Sequence, residues 1–243
     1  AAVQHVDELE KAFERCQREA KASFGLADLY VEQFVSRARH VEVQIIGDKY
    51  GNVTHLFERE CSVQRRNQKV VEIAPAPNLT DALREQIIDA AMRFARSEGY
   101  SNLGTFEFLI DDASDTDAAF VFIEANARLQ VEHTVTEEVT GVDLVQTQIR
   151  LAAGDSLSDL GLGTPADFTP RGYAIQTRVN METFRPNGQV RPSSGTLSAY
   201  DAPNGPGVRT DGFGYAGYKT STAFDSLLAK VIVHSRSSNF ADA

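Results

Sequence analysis

Two period-two runs, GTFEFLI at 104–110 and AFVFIEANA at 119–127, constrain this chain more than any other feature. Their aromatic and branched residues suit strands, and the polar stretch DDASDTDA between them reads as the loose tip of an antiparallel hairpin. One glutamate interrupts each run. Alternation puts Glu107 on the face of Thr105 and Leu109, and Glu124 on the face of Phe122 and Asn126. Pairing across the tip brings Glu107 and Glu124 within about a residue of being cross-strand neighbours, where two carboxylates repel. A cation between them relieves the repulsion, and a hard divalent ion suits carboxylate and amide oxygens. The alternative is an ordinary amphipathic hairpin with both glutamates in solvent.

The run continues into NARLQVEH, which crowds Asn126, Arg128, Gln130, Glu132 and His133 into eight residues. An extended backbone places the first four on one side, a set of donors and acceptors suited to a small planar anion. Glu132 has the chemistry of a general base, although Arg128 beside it lowers its pKa. The string QRRNQK, Gln64 to Lys69, follows a strand and reads either as an anion site or as a solvated loop. Arg178 in QTRVN and His40 in RARHVEVQ are open in the same way.

Around these segments the pattern is α+β. Leu9, Ala12, Phe13, Cys16, Ala20 and Phe24 form one helical stripe, with Asp7 and Glu10 as a capping arrangement and Gly25 as its end. LYVEQFV reads as a short strand or crossover, and HVEVQII and VTHLFERE as a hairpin across GDKYGN with Val41, Val43 and Ile45 on one face. VEIAPAPN reads as irregular; Thr80 caps a helix with Leu83, Ile87, Ala91 and Phe94 inward, and a third helix spans about 143–153. GLGTPADFTP is the best boundary, followed by the strand candidates YAIQTRVN, TLSAY, GVRTDG and SLLAKVIVH. The expected division is 1–35, 36–160 and 170–243.

A formal net charge of −10 argues against a nucleic-acid partner. No apolar run approaches the roughly 20 residues that cross a bilayer, so a soluble, cytoplasmic protein is expected, with Cys16 and Cys61 reduced. The chain starts almost directly in a helical pattern and stops just after a strand-like run, which reads as a piece of something longer.

ERECSVQRRNQKVVEIAPAP, GTFEFL, FIEANARLQVEHTVTEEVTGVDLV and RGYAIQTRVN together resemble biotin carboxylase, over nearly the whole chain. The resemblance implies an ATP-grasp fold, here a partial lid plus C-terminal half, followed by the β-rich biotin carboxylase C-terminal domain. It implies Glu107, Glu124 and Asn126 as holders of Mg2+ (or Mn2+) on ATP. Lys69, Arg128, Gln130 and the backbone at Val131 would bind bicarbonate. Glu132 would deprotonate it for attack on the γ-phosphate, giving carboxyphosphate, and Arg178 would stabilise the biotin enolate. Glu32, Gln33, Val35 and Leu109 would meet the adenine, and His40, Gln64 and Asn67 the ribose and phosphates. Many members carry His where this chain has Asn67, which removes a charged contact. The family's phosphate-binding lysines would lie before Ala1, so the 243 residues alone are expected to have little ATPase activity.

The implied partners are biotin carboxyl carrier and carboxyltransferase domains or subunits, with a homo-oligomer open; the implied acceptor is acyl-CoA first and pyruvate second. Two other readings are kept: a carbamoyl-phosphate-synthase-like ligase, against which RGYAIQTRVN speaks, and a non-catalytic nucleotide-binding fragment.

Overall fold

The computed structural model describes residues 2–111, 120–164 and 168–243, in two compact units, 1–37 and 38–243. In the first, α1 (Leu9–Phe24) ends at Gly25 with φ 77°, the left-handed geometry glycine tolerates. The expected cap is absent: Glu8 stands at the N-cap with helical backbone angles and no side-chain bond to the helix, because a 3-10 turn over Val6–Glu8 runs straight into it. No residue of α1 is buried. LYVEQFV is a crossover without strand pairing.

The second unit is an eight-stranded sheet, antiparallel at every pairing, in the order β5-β4-β1-β2-β3-β6-β10-β9. The strands are β1 (Ala38–Gly47), β2 (Val53–Arg65), β3 (Gln68–Ala74), β4 (Asn102–Asp111), β5 (Phe120–Asn126), β6 (Tyr173–Asn180), β9 (Val208–Gly212) and β10 (Leu227–Ser235). A small hairpin, β7 (Glu182–Phe184) with β8 (Val190–Pro192), stands apart. VEIA thus belongs to β3, and irregular backbone begins only at Pro75. TLSAY forms no strand; Thr196 alone bridges Lys219. Residues 165–167 of the expected boundary and 112–119 of the hairpin tip lie outside the described residues. The sheet nevertheless continues across that boundary, since β6 pairs with β3 through Glu72↔Gln176.

Helices cover both faces. Against one lies α2 (Asp81–Ser97), whose N-cap Thr80 accepts from the Leu83 amide at 3.3 Å. Its Ile87, Ala91, Met92 and Ala95 pack on Val41, Val43, Ile45, Phe106, Phe108 and Ile110. Over the other lie α3 (His133–Thr140), which sequence periodicity missed, and α4 (Leu144–Ala153). Val135 and Val139 of α3 pack on Ala74, Ala174 and Ile232, and Leu144 and Leu151 of α4 on Ile46, Leu56 and Leu103.

This double cover decides where the site is. In β1 the alternate residues His40, Glu42 and Gln44 are as buried as the valines between them, at 9%, 0% and 1% exposure. Buried polar groups persist only when bonded or paired, so this polar row must carry its own partners. Among the described residues no helix is long and apolar enough to cross a membrane.

Candidate functional site

The polar row of β1 meets polar residues on every neighbouring strand. Glu42 faces Glu107 on β4 and Arg59 on β2. Arg59 is fully buried: its Nε donates to Glu42 at 2.6 Å, and its amino groups to Gln44 (2.8 Å), Thr136 (3.0 Å) and Thr105 (3.2 Å). Lys69, at the start of β3, places Nζ 2.5 Å from Glu42, 2.6 Å from Glu132 and 3.1 Å from Glu107. Burial disfavours its charge, but Glu42 and its other anionic neighbours push its pKa well above that of a free lysine. Across β6, Arg178 reaches both Glu72 and Glu132. Three basic side chains, Arg59, Lys69 and Arg178, thus face four buried carboxyl groups, Glu42, Glu72, Glu107 and Glu132.

The two glutamates of the hairpin do pair, Glu107↔Glu124. The Asn126 amide stands between them, donating to Glu107 at 2.8 Å and to Glu124 at 3.0 Å. Gln130 donates to the same Glu107 oxygen at 3.0 Å, and its own Oε1 is buried without a partner. His40 lies 2.6 Å from the other Glu107 oxygen, and Gln64 2.6 Å from the far nitrogen of His40. Burial pushes Glu107 up, yet the neighbouring His40 ring and the Lys69 charge outweigh it and hold the pKa at about 2. One expectation fails here: a register shift beyond Glu107 turns Phe122 to the opposite face, where it packs on Phe94 (ring centroids 5.1 Å apart) and Phe108 (5.8 Å).

NARLQVEH is not extended beyond Asn126; it turns and enters α3 at His133. Arg128 therefore leaves the side of Glu132: it is exposed and donates to the carbonyl of Leu129 at 3.3 Å. Burial raises the pKa of Glu132, but Lys69, Arg59 and Arg178, not Arg128, hold it below the usual carboxylate range. The turn is pinned from behind. The Gln130 carbonyl accepts from His133 Nδ1 at 2.7 Å, and the Val131 carbonyl from Lys230 Nζ at 2.8 Å.

The basic string is a two-residue hairpin turn. Arg66 (φ 53°) and Asn67 (φ 62°) sit between the paired Arg65 and Gln68, the left-handed geometry of a type I′ turn that Asn tolerates. Asn67 is exposed at its tip. Leu109 is half-buried and pairs with His40 across β4 and β1. Glu32 and Gln33 are exposed and Val35 half-buried in the first unit. The structure thus gathers Lys69, Glu107, Glu124, Asn126, Gln130, Glu132, Arg178, His40 and Gln64. Sequence reasoning missed Glu42, Arg59, Glu72 and Lys230. The last had a signal, a lone charge inside the apolar run LLAKVIV that demands a buried partner.

Glu107, Glu124 and Asn126 are the oxygen-bearing residue types that a hard divalent ion takes, and binding one there requires displacing contacts that now fill Glu107: Lys69, Asn126 and Gln130 on one oxygen and His40 on the other.

Residues 1–160 match the family described as carbamoyl-phosphate synthase L chain, ATP binding domain, and residues 176–243 match the biotin carboxylase C-terminal domain. The chain belongs to the biotin carboxylase family. Its fold is the ATP-grasp type of biotin carboxylase. Pyruvate carboxylase 1 of Caenorhabditis elegans is 52% identical over 235 residues, 96% of this chain and 19% of the relative. The chain thus spans about a fifth of the length of the curated relatives it matches. The biotin carboxylase–βγ-ATP complex from Campylobacter jejuni matches with TM-score 0.88 and 36% identity, over 97% of this chain and 50% of that one. The biotin carboxylase domain of Hydrogenobacter thermophilus 2-oxoglutarate carboxylase, in complex with MgADP, ADP and bicarbonate, matches with TM-score 0.86 and 43% identity, over 95% and 49%.

Proposed function

We propose that this biotin carboxylase chain carries the bicarbonate-activating and metal-holding part of a site that carboxylates biotin at the expense of ATP. The observation that carries the reading is Glu132, buried at 2% exposure between Lys69 at 2.6 Å and Arg178 at 3.1 Å. A carboxylate clamped by two cations is a weak base, and it becomes a strong one as those cations turn to an incoming anion. Lys69 then binds bicarbonate together with the Gln130 side chain and the Val131 backbone. Glu132 takes the bicarbonate proton, and the anion attacks the γ-phosphate to give carboxyphosphate. Arg178 meets the oxygen that gains charge as biotin loses its proton. Arg128, exposed on the turn, reaches the same anion from the solvent side.

Glu107, Glu124 and Asn126 would hold Mg2+ or Mn2+, which neutralises nucleotide phosphate charge when bound. His40, Gln64 and Leu109, adjacent on β1, β2 and β4, offer a nucleotide surface, with Asn67 at the tip of the β2–β3 turn; Glu32, Gln33 and Val35 of the first unit are assigned to the adenine by the resemblance alone. In domain terms, 1–35 belongs to the lid, 36–160 to the nucleotide, metal and bicarbonate region, and 170–243 to the C-terminal domain.

The carbamoyl-phosphate-synthase-like alternative shares the first family match, but Arg178 enters the site from within the biotin carboxylase C-terminal match. For the whole protein, the pyruvate carboxylase relatives at 46–52% identity support pyruvate over acyl-CoA as the acceptor, with carrier and carboxyltransferase domains as partners. The test is ATP hydrolysis by the full-length protein with bicarbonate, Mg2+ and free biotin. Glu132→Gln and Arg178→Ala are expected to abolish the biotin-dependent rate while nucleotide affinity stays. Unchanged turnover in both, or carbamoyl phosphate formed from ammonia, overturns the reading.

A further inference from the structure

Glu72 has no place in the chemistry just described, yet it is fully buried against Arg178, a group that the proposed chemistry uses. It lies on β3 at 0% exposure. One of its oxygens takes two nitrogens of Arg178, Nε at 2.6 Å and Nη2 at 2.5 Å. The other accepts from Gln176 Nε2 at 2.9 Å, and Gln176 in turn accepts from the Thr134 hydroxyl. Thr134 stands two residues beyond Glu132, at the start of α3. Glu72 is thereby fixed to both the sheet and the helix that carries the base. Burial pushes its pKa up, opposed first by Arg178.

The two ends of the Arg178 guanidinium are held unequally. Its inner edge lies on Glu72 through two short contacts, while Nη2 also reaches Glu132 at 3.1 Å. Among the described residues Nη1 has no protein partner. An arginine held by Glu132 alone would lose its counter-charge as Glu132 takes a proton, and would have to abandon the base to reach another oxygen. Uncompensated buried charge is costly. A second, permanent carboxylate removes that conflict.

We infer that Glu72 is a positioning residue that anchors Arg178 through Nε and Nη2, so that the guanidinium exchanges its Glu132 contact for the biotin oxygen without losing its counter-charge. The inference rests on the roles proposed above for Glu132 and Arg178. Its chemistry is a change of hydrogen-bond partner, with no bond made or broken at Glu72. The amide of a glutamine would keep the shape and lose the charge.

The experiment compares Glu72→Gln and Glu72→Asp with the parent in the full-length protein, by carboxylation of free biotin, with Arg178→Ala beside them. The expected kcat of Glu72→Gln falls on the order of 10²-fold, as for a misplaced catalytic group, while KM for ATP stays within about twofold. Glu72→Asp, which keeps the charge and withdraws it by one methylene, is expected to recover part of that loss. If Glu72→Gln does not fold, Glu72→Asp decides, with kcat reduced and KM for ATP unchanged. Parent-like kcat in the variants, or a KM for ATP rising in step with the loss of kcat, overturns the anchor. An active Arg178→Ala instead removes the reading on which it rests.

Discussion

Replacing Lys69 with methionine keeps the length of the side chain and removes the one cation that three carboxylates share. Its contacts of 2.5, 2.6 and 3.1 Å with Glu42, Glu132 and Glu107 are each worth roughly 5–7 kcal/mol at an effective dielectric near 20. Desolvation of the ammonium and repulsion among the carboxylates offset most of this, and removing one partner of a buried pair leaves a net cost of ~3–5 kcal/mol. The cost depends on pH with a definite sign. In the parent, Glu107 is held at about 2, below its ordinary 4.5, so its contribution is present above 4.5 and lost as pH falls through 2. Without Lys69 the cluster retains a proton, so a folded-state pKa rises above the unfolded value. That contribution is present at low pH and lost as pH rises through the new value. Hydrogen–deuterium exchange of the β1, β2 and β4 amides reads this locally. The expected loss of protection in Lys69→Met is small near pH 5 and grows toward pH 8. Equal loss at both would refute the shared-cation reasoning.

Lys230→Met frees the Val131 carbonyl, and KM for bicarbonate is expected to rise about tenfold with KM for ATP unchanged, read by initial rates. Glu107→Gln removes one half of the Glu107–Glu124 pair, so the Mg2+ concentration for half-maximal ATP hydrolysis is expected to increase, checked by Mg2+ titration. Ile87→Ala empties a fully buried position under the sheet and is expected to cost ~2–5 kcal/mol, seen as faster exchange of β1 and β4 amides with kinetic constants intact. The parent itself is expected to lose amide protection around Glu107 as pH is lowered from 4.5 toward 2.

The hairpin that holds the metal candidates was legible because alternation and a polar tip are local signals; they brought Glu107 to within about a residue of Glu124, and the structure pairs the two directly. The register shift beside them was not, since one extra residue in a strand leaves no compositional mark; Phe122 changed face for that reason. The turn after Asn126 escaped for a similar cause. It contains no Gly or Pro, and what bends it is the capture of the Gln130 and Val131 carbonyls by His133 and by Lys230, which is 99 residues away in the chain. Alternation in β1 put Val41, Val43 and Ile45 on one face but gave no sign that the opposite face, with Glu42, would be buried as well. The Arg59–Glu42 pair at its centre followed from tertiary cover alone. Asn67 reads differently with its backbone known: as the second positive-φ residue of a tight turn it meets a local need that asparagine serves well.

The most direct test of Glu132 as the base that activates bicarbonate is transfer of radiolabelled bicarbonate to free biotin by the full-length protein and its Glu132→Gln variant. The account expects labelled carboxybiotin from the parent and at least ~10²-fold less from Glu132→Gln, with ATP affinity retained. Equal labelling by the two proteins would contradict it.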